Sequence, residues 1–177
     1  LGLLSLGGIG RAVAQRALAF GMDIHVVDPN PTDVPAGVRA VWGPERLDEF
    51  LGLADWFVVA APLTPGTRRL IDARRIGLMK PGARLVVISR GGIVDEGALA
   101  EALRAGRLAG AALDATEVEP LPPESPLWGL PNVILSPHAS ALSPELYAGR
   151  RRIFIDNLRR FLAGQPLAFV CDLRRGY

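Results

Sequence analysis

Seven short apolar runs punctuate the chain, at residues 1–6, 24–27, 38–41, 56–60, 85–88, 109–113 and 133–135. Their largely continuous apolar character predicts strands covered on both faces, as in a parallel sheet, rather than strands with one wet side. Between the runs the period changes. Ile9, Ala12, Val13, Ala17 and Phe20 recur at helical spacing and predict an amphipathic helix that buries this face. A second helix is expected from about Glu96 to Leu103, with Ala98, Leu99, Ala102 and Leu103 on one side and Asp95 as its N-cap. Strand-like and helix-like segments in alternation predict an α/β fold: a doubly wound parallel sheet with helices on both faces.

The last third reads differently. Residues 120–126 are rich in proline and exclude a central strand. Ser143-Pro144-Glu145 has the order of an N-cap, a first-turn proline and an acidic first turn. The helix it opens places Leu146, Ile153, Phe154, Leu158, Phe161 and Leu162 on one stripe, with Arg151, Arg152, Arg159 and Arg160 opposite, and Gly164 ends it. With no internal repeat and no long linker, residues 1–142 are expected to form one layered domain and residues 143–177 a C-terminal helix and tail. Leu1 is not an initiator methionine and stands inside an apolar run, so further sequence is expected upstream.

Composition narrows the function classes. A chain of 177 residues, 49% hydrophobic and 21% charged, is long enough for a full core in one globular domain. No run reaches the roughly 18 apolar residues of a membrane span, and no membrane partner is expected. A net charge of +2 gives no reason to expect a nucleic-acid partner. The arginines at 150–152, 159–160 and 174–175 read as a solvated helix face and tail. The single cysteine, Cys171, cannot form an internal disulfide and points to a reducing, cytoplasmic setting. No metal site is expected.

The first strand runs into Ser5-Leu6-Gly7-Gly8-Ile9-Gly10 and then a helix. This is the dinucleotide pattern G-x-G-x-x-G with Ser5 in place of the first glycine; a simple glycine turn is the alternative. Small residues here let backbone approach a pyrophosphate, which then faces the free N–H groups of the helix start. The second strand ends at Asp28, eighteen residues past Gly10, where a carboxylate can accept from the adenosine ribose. Because it would repel a 2′-phosphate, NAD is favoured over NADP. The plainer role for Asp28 is a turn before Pro29, and His25, inside the strand, reads as packing. If Ser5 needs a positive φ, the strain is about 1–2 kcal/mol.

Arg90, Glu119 and His138 each follow a predicted strand, at the edge where open α/β sheets bind ligands. Arginine can grip a carboxylate through its planar fork. Histidine can exchange a proton with a carbonyl oxygen as hydride arrives, and a neighbouring glutamate would favour the imidazolium. Taken singly, Arg90 reads as a strand-end cap, Glu119 as solvated and His138 as a loop residue. Taken together, the topology predicts that they converge on one site for reduction of a 2-oxo acid.

Several long segments then carry a resemblance. The stretch from Lys80-Pro81-Gly82-Ala83 through Ser89-Arg90-Gly91-Gly92-Ile93-Val94-Asp95 is similar to the central signature of the D-2-hydroxyacid dehydrogenases. So are Ala60-Ala61-Pro62-Leu63-Thr64-Pro65-Gly66-Thr67, the stretch Ala112-Leu113-Asp114 to Glu119-Pro120-Leu121-Pro122, and Asn132-Val133 to Ser136-Pro137-His138. The resemblance implies a Rossmann-like fold that binds NAD, with Gly7, Gly8, Ile9 and Gly10 at the pyrophosphate and Asp28 on the ribose. It also implies Ala61, Pro62 and Thr67 along the adenosine and phosphate, and Ile88, Ser89, Arg90, Asp114 and His138 around the nicotinamide. Arg90 would hold substrate, His138 would be the acid/base and Glu119 its partner. Departures stand at Ser5, at Gly8 where arginine is frequent, at Val87 where asparagine is common, and at Ala139-Ser140.

Family members fold as two domains, with the substrate domain built mostly from preceding sequence, so the apolar stripe after Ser143 is expected to be exposed or paired with another chain. The expected function is hydride transfer between NAD(H) and a small 2-oxo or 2-hydroxy acid, by a homodimer in which this chain is the cofactor-binding part and is inactive alone. The rival readings are a nucleotide-sensing interaction protein of the corepressor type on the same fold, and a purely structural module.

Overall fold

The computed structural model describes residues 1–172, so Arg174 and Arg175 lie outside the described residues. It divides into two compact units, the first Leu1–Pro137 and the second beginning at His138.

The first unit holds seven strands: β1 (Gly2–Leu4), β2 (His25–Val27), β3 (Ala40–Trp42), β4 (Trp56–Val59), β5 (Arg84–Val87), β6 (Gly110–Leu113) and β7 (Val133–Leu135). All neighbours pair in parallel, in the order β3-β2-β1-β4-β5-β6-β7. The chain winds outward from β1 in one direction and from β4 in the other, which makes the β1–β4 boundary the switch point of a doubly wound sheet. Each predicted run overlaps a strand: β7 coincides with its run, β1, β2, β4 and β6 are shorter than theirs, β5 starts one residue early and β3 ends one residue late. Along the central strands, successive side chains enter opposite cores. Leu4, Val27, Phe57, Val59, Leu85 and Val87 join one cluster, while Leu3, Val26 and Val58 join the other. Burial on both faces explains the continuous apolar runs.

Helix α1 (Gly8–Ala19) covers the second cluster. It turns Gly10, Ala14 and Ala17 into the interior. The expected face is corrected at two positions: Ile9 is 52% exposed, and Phe20 lies beyond the last helical residue, 86% exposed. Small side chains let the helix axis approach the sheet closely, so they displace the larger ones from the contact. The first cluster is covered by α2 (Leu47–Leu51), α3 (Ala73–Leu78) and α4 (Glu96–Arg104), which bury Leu47, Phe50, Leu51, Ile76, Leu99 and Leu103. Asp95 caps α4 as expected, its carboxylate accepting from Ala98 N at 3.0 Å. Helices α2 and α3 were not anticipated from the sequence. Asp48 of α2 ties them together by accepting from Arg74 at 2.6 Å and Arg75 at 2.8 Å.

In the second unit, α5 (Pro144–Leu162) begins at the expected Ser143 cap, whose Oγ accepts from Leu146 N at 3.2 Å. It stops where Gly164 takes a left-handed φ of 65° and Gln165 N donates to Arg160 O. No residue of α5 is buried, and Phe154, Phe161 and Leu162 of its apolar stripe are widely exposed. Asn157 clasps the returning segment, bonding both the N–H and the carbonyl of Ala168. Among the described residues no helix is long and apolar enough to cross a membrane, and none of their acidic, histidine and cysteine side chains cluster as a metal site.

Candidate cofactor and substrate site

The register places six strand ends side by side. Leu4 pairs with Val27 and Val59, Val59 with Val87, Val87 with Leu113, and Leu113 with Leu135. The next residue of each strand therefore forms a row along the carboxyl edge: Asp28, Ser5, Ala60, Ile88, Asp114 and Ser136. All six continue the ladder, Asp28 N donating to Trp42 O at the edge and the other five across the central sheet. Ser5 N donates to Val27 O, Ala60 N to Leu4 O, Ile88 N to Val59 O, Asp114 N to Val87 O and Ser136 N to Leu113 O. Parallel pairing thus delivers residues more than a hundred positions apart to one rim.

At the β1 end the chain must turn sharply into α1. Ser5 does so with a φ of 80°, a left-handed conformation that favours glycine. Gly10 is required by contact: a Cβ there would lie 2.2 Å from the Ser5 carbonyl oxygen. Helix α1 differs from the capped helices of this chain. Asp72, Asp95 and Ser143 cap α3, α4 and α5 with side-chain oxygens, whereas α1 starts at Gly7 with no side-chain cap and no acid in its first turn. The first intrahelical bond runs from Arg11 N to Gly7 O, so the N–H groups of Gly8, Ile9 and Gly10 precede the ladder at the positive end of the helix. Gly7, Gly8 and Ile9 are exposed. This start can receive an anion.

Asp28 stands next to it. Its Oδ2 accepts from Leu6 N at 2.7 Å and from Ser5 Oγ at 3.1 Å, and its Oδ1 accepts from Asn30 N at 2.7 Å. The carboxylate therefore also makes the turn that the plainer reading assigned to it. Arg11 fastens the same region from α1, reaching Leu6 O and both oxygens of Thr32. After β4, Ala61 is buried and the Thr67 hydroxyl donates to Pro62 O at 2.7 Å while accepting from Thr64 N. Thr67 thus shapes the loop that carries Pro62.

Farther along the rim, Ser89 is 6% exposed and its Oγ has no hydrogen-bond partner. A buried hydroxyl without a partner is costly unless a ligand supplies one. Asp114 is equally buried and accepts from Ser136 Oγ, a contact the sequence did not single out although strand pairing puts the two side by side. Arg90 is exposed, and its Nη1 donates to Ser89 O at 2.7 Å. A Cβ on Gly91 would fall 2.0 Å from the Thr116 carbonyl, so the loop carrying Arg90 lies directly against the segment leading to Glu119. Glu119 Oε1 accepts from Thr116 N at 3.1 Å. Glu96 braces that segment through Glu117 N, and burial holds the Glu96 carboxyl above the usual range. His138, three residues past Leu135, opens the second unit with a left-handed φ of 54°.

A loop that brings backbone close to an anion, a carboxylate beside it and an unpartnered buried hydroxyl fit a dinucleotide laid along the rim. Residues 1–140 match the family model described as D-isomer specific 2-hydroxyacid dehydrogenase, NAD binding domain. The chain is 43% identical over 162 residues to the (S)-sulfolactate dehydrogenase of Chromohalobacter salexigens, covering 92% of this chain and 52% of that protein. It is 41% identical over 173 residues to the D-3-phosphoglycerate dehydrogenase of Bacillus subtilis, covering 98% and 33%. Among solved structures, a D-isomer specific 2-hydroxyacid dehydrogenase from Xanthobacter autotrophicus Py2 in complex with NADPH and MES superposes with a TM-score of 0.90 at 42% identity, covering 100% of this chain and 72% of that one. The NADPH-dependent glyoxylate/hydroxypyruvate reductase of Sinorhizobium meliloti in complex with NADP and sulfate gives 0.91 at 32% identity, covering 99% and 56%. The chain spans a third to a half of the length of the two curated relatives.

Proposed function

From the premise that this chain belongs to the D-isomer specific 2-hydroxyacid dehydrogenase family, as its NAD-binding domain, we propose that it binds NAD(H) for hydride transfer with a small 2-oxo or 2-hydroxy acid. The observation that carries the reading is the rim itself: an uncapped helix start, Asp28 and the buried Ser89 and Asp114 along one edge of the sheet. The N–H groups of Gly8, Ile9 and Gly10 would hold the pyrophosphate, where the helix dipole adds its positive end. Asp28 would accept from the adenosine ribose, with Ala61, Pro62 and Thr67 walling the adenosine side. Ser89 and Asp114 would meet the nicotinamide carboxamide, beside Ile88. When bound, the cofactor supplies or accepts the hydride.

The remaining chemistry falls to three side chains. Arg90 would pair with the substrate carboxylate and draw electron density from the adjacent carbonyl. His138 would give its proton to the carbonyl oxygen during reduction and take it back in oxidation. Glu119 would favour the charged imidazole. We read NAD as preferred over NADP because a 2′-phosphate would meet the Asp28 carboxylate, although the two solved relatives named above hold NADPH and NADP. We further read residues 1–142 as the cofactor domain and the remainder as the part facing a substrate domain, in a cytoplasmic homodimer.

Titration of the chain with NADH and NADPH tests the reading. Binding of NADH at least tenfold tighter than NADPH is expected, and Asp28→Ala should narrow that ratio. The chain alone should show little turnover, since a site open on one side cannot exclude water. In a protein that adds a substrate-binding portion, Arg90→Gln should raise KM and His138→Gln should remove most of kcat. A folded chain that binds neither nucleotide would sink the proposal.

A further inference from the structure

Ser5 occupies the one position of the glycine loop where this chain carries a side chain in a left-handed conformation, with φ 80°. Glycine would be less strained there. Its hydroxyl donates to Asp28 Oδ2 at 3.1 Å, on the oxygen that already accepts from Leu6 N. A carboxylate presents roughly four lone-pair positions. Three of those on Asp28 are taken by Ser5 Oγ, Leu6 N and Asn30 N, which leaves one, on Oδ1. A ribose diol offers two donors. We propose that Ser5 is a specificity-tuning residue that fills one acceptor position of Asp28, so that the carboxylate can take only one ribose hydroxyl and the chain holds NAD(H) more loosely than its fold allows.

The inference rests on Asp28 being the ribose acceptor and deepens that reading. Ser5 touches no reacting atom and acts through Asp28. Two backbone donors hold the carboxylate in place without it, one on each oxygen, so removing the hydroxyl frees an acceptor without releasing the side chain. The freed oxygen also faces any 2′-phosphate as a less neutralised charge.

The test is a set of titrations with NADH and NADPH on the full chain carrying Ser5→Ala, Ser5→Gly, Asp28→Ala and the combination of Ser5→Ala with Asp28→Ala. Ser5→Ala should bind NADH about five- to tenfold tighter, the scale of one net hydrogen bond, with no gain for NADPH. Ser5→Gly should show a similar gain together with a higher melting temperature, since only glycine relieves the backbone. In the Asp28→Ala background the Ser5→Ala gain should disappear. Equal or weaker NADH binding by Ser5→Ala overturns the proposal and leaves Asp28 as ribose acceptor intact. A gain that survives Asp28→Ala overturns it as well, because the effect would then come from the loop alone. Absence of nucleotide binding by the unmutated, folded chain is a different outcome: it removes the cofactor reading, and this inference with it.

Discussion

Replacing Gly10 by alanine would place a methyl carbon 2.2 Å from the Ser5 carbonyl oxygen. Ordinary carbon–oxygen contact begins near 3.4 Å, so roughly 1.2 Å must be opened between the end of β1 and the first turn of α1. Neither side yields easily. Ser5 is fixed by its N–H bond to Val27 O at 2.8 Å, and Leu6 by its bond to Asp28. Because the obstacle is backbone, the overpacking cost belongs near the top of the usual range, about 3 kcal/mol. Alanine returns up to about 1 kcal/mol of helix propensity. A net loss of about 2 kcal/mol corresponds to a fall in Tm of roughly 4–8 °C for a chain of this size. Gly8→Ala is the control, since a Cβ there meets nothing within 4 Å and keeps the helix gain. Thermal unfolding by circular dichroism compares the two variants without cofactor. Gly10→Ala should also weaken NADH binding, because the N–H groups of Gly8 and Ile9 move with the helix start. A Gly10→Ala chain that melts with the native one, or a Gly8→Ala chain that loses as much, would refute the close-approach argument.

The Asp48 carboxyl is held at about 2 by hydrogen bonds from Arg74 and Arg75, against an ordinary value of 3.8. Its folded pKa is depressed, so its contribution to stability is present above pH 3.8 and is lost as pH falls toward 2. Asp48→Asn should therefore flatten the acid limb of a Tm-against-pH curve between those values, and an unchanged limb would discount the α2–α3 tie. Phe57→Ala removes a fully buried ring stacked edge-on against Phe50 and should cost about 3–5 kcal/mol in urea unfolding. Phe161→Ser, on the exposed stripe of α5, should change stability by less than about 0.5 kcal/mol.

What the sequence made legible depended on how each feature was stabilised. The central strands were readable because burial on both faces writes a continuous apolar run, whereas the edge strands β3 and β7, neither of them buried, were read from apolar composition alone. Asp95 and Ser143 were readable as caps because capping is a local bond between neighbours in sequence. Helices α2 and α3, of five and six residues, are too short to show a period, and the Asp48–Arg75 bond that joins them spans 27 positions. The α1 face was misplaced at Ile9 and Phe20 because hydrophobicity ranks large side chains first, whereas close packing on the sheet selects Gly10, Ala14 and Ala17. Asp28, Ser89 and Asp114 were singled out as candidates through their motifs. Ser136 lay in a segment of the resemblance but was given no role, since its bond to Asp114 comes only from the pairing of neighbouring strands.

Ser5 acquires its meaning only in three dimensions. In the sequence it is a missing glycine, a defect in a fingerprint, and the strain it implies is a cost with no visible return. The geometry supplies the second half of the account. The left-handed turn that strains the backbone is the same turn that brings the hydroxyl to within 3.1 Å of Asp28, a residue 23 positions away that the pairing of β1 with β2 places beside it. A glycine would relax the backbone and leave that carboxylate oxygen to Leu6 N and a ligand. The two consequences of one side chain are therefore separable by experiment: alanine keeps the strain and deletes the bond, whereas glycine deletes both. If Ser5 matters only as a strained residue, stability should change with glycine alone and nucleotide affinity with neither. If it matters through Asp28, affinity should respond to alanine and glycine alike.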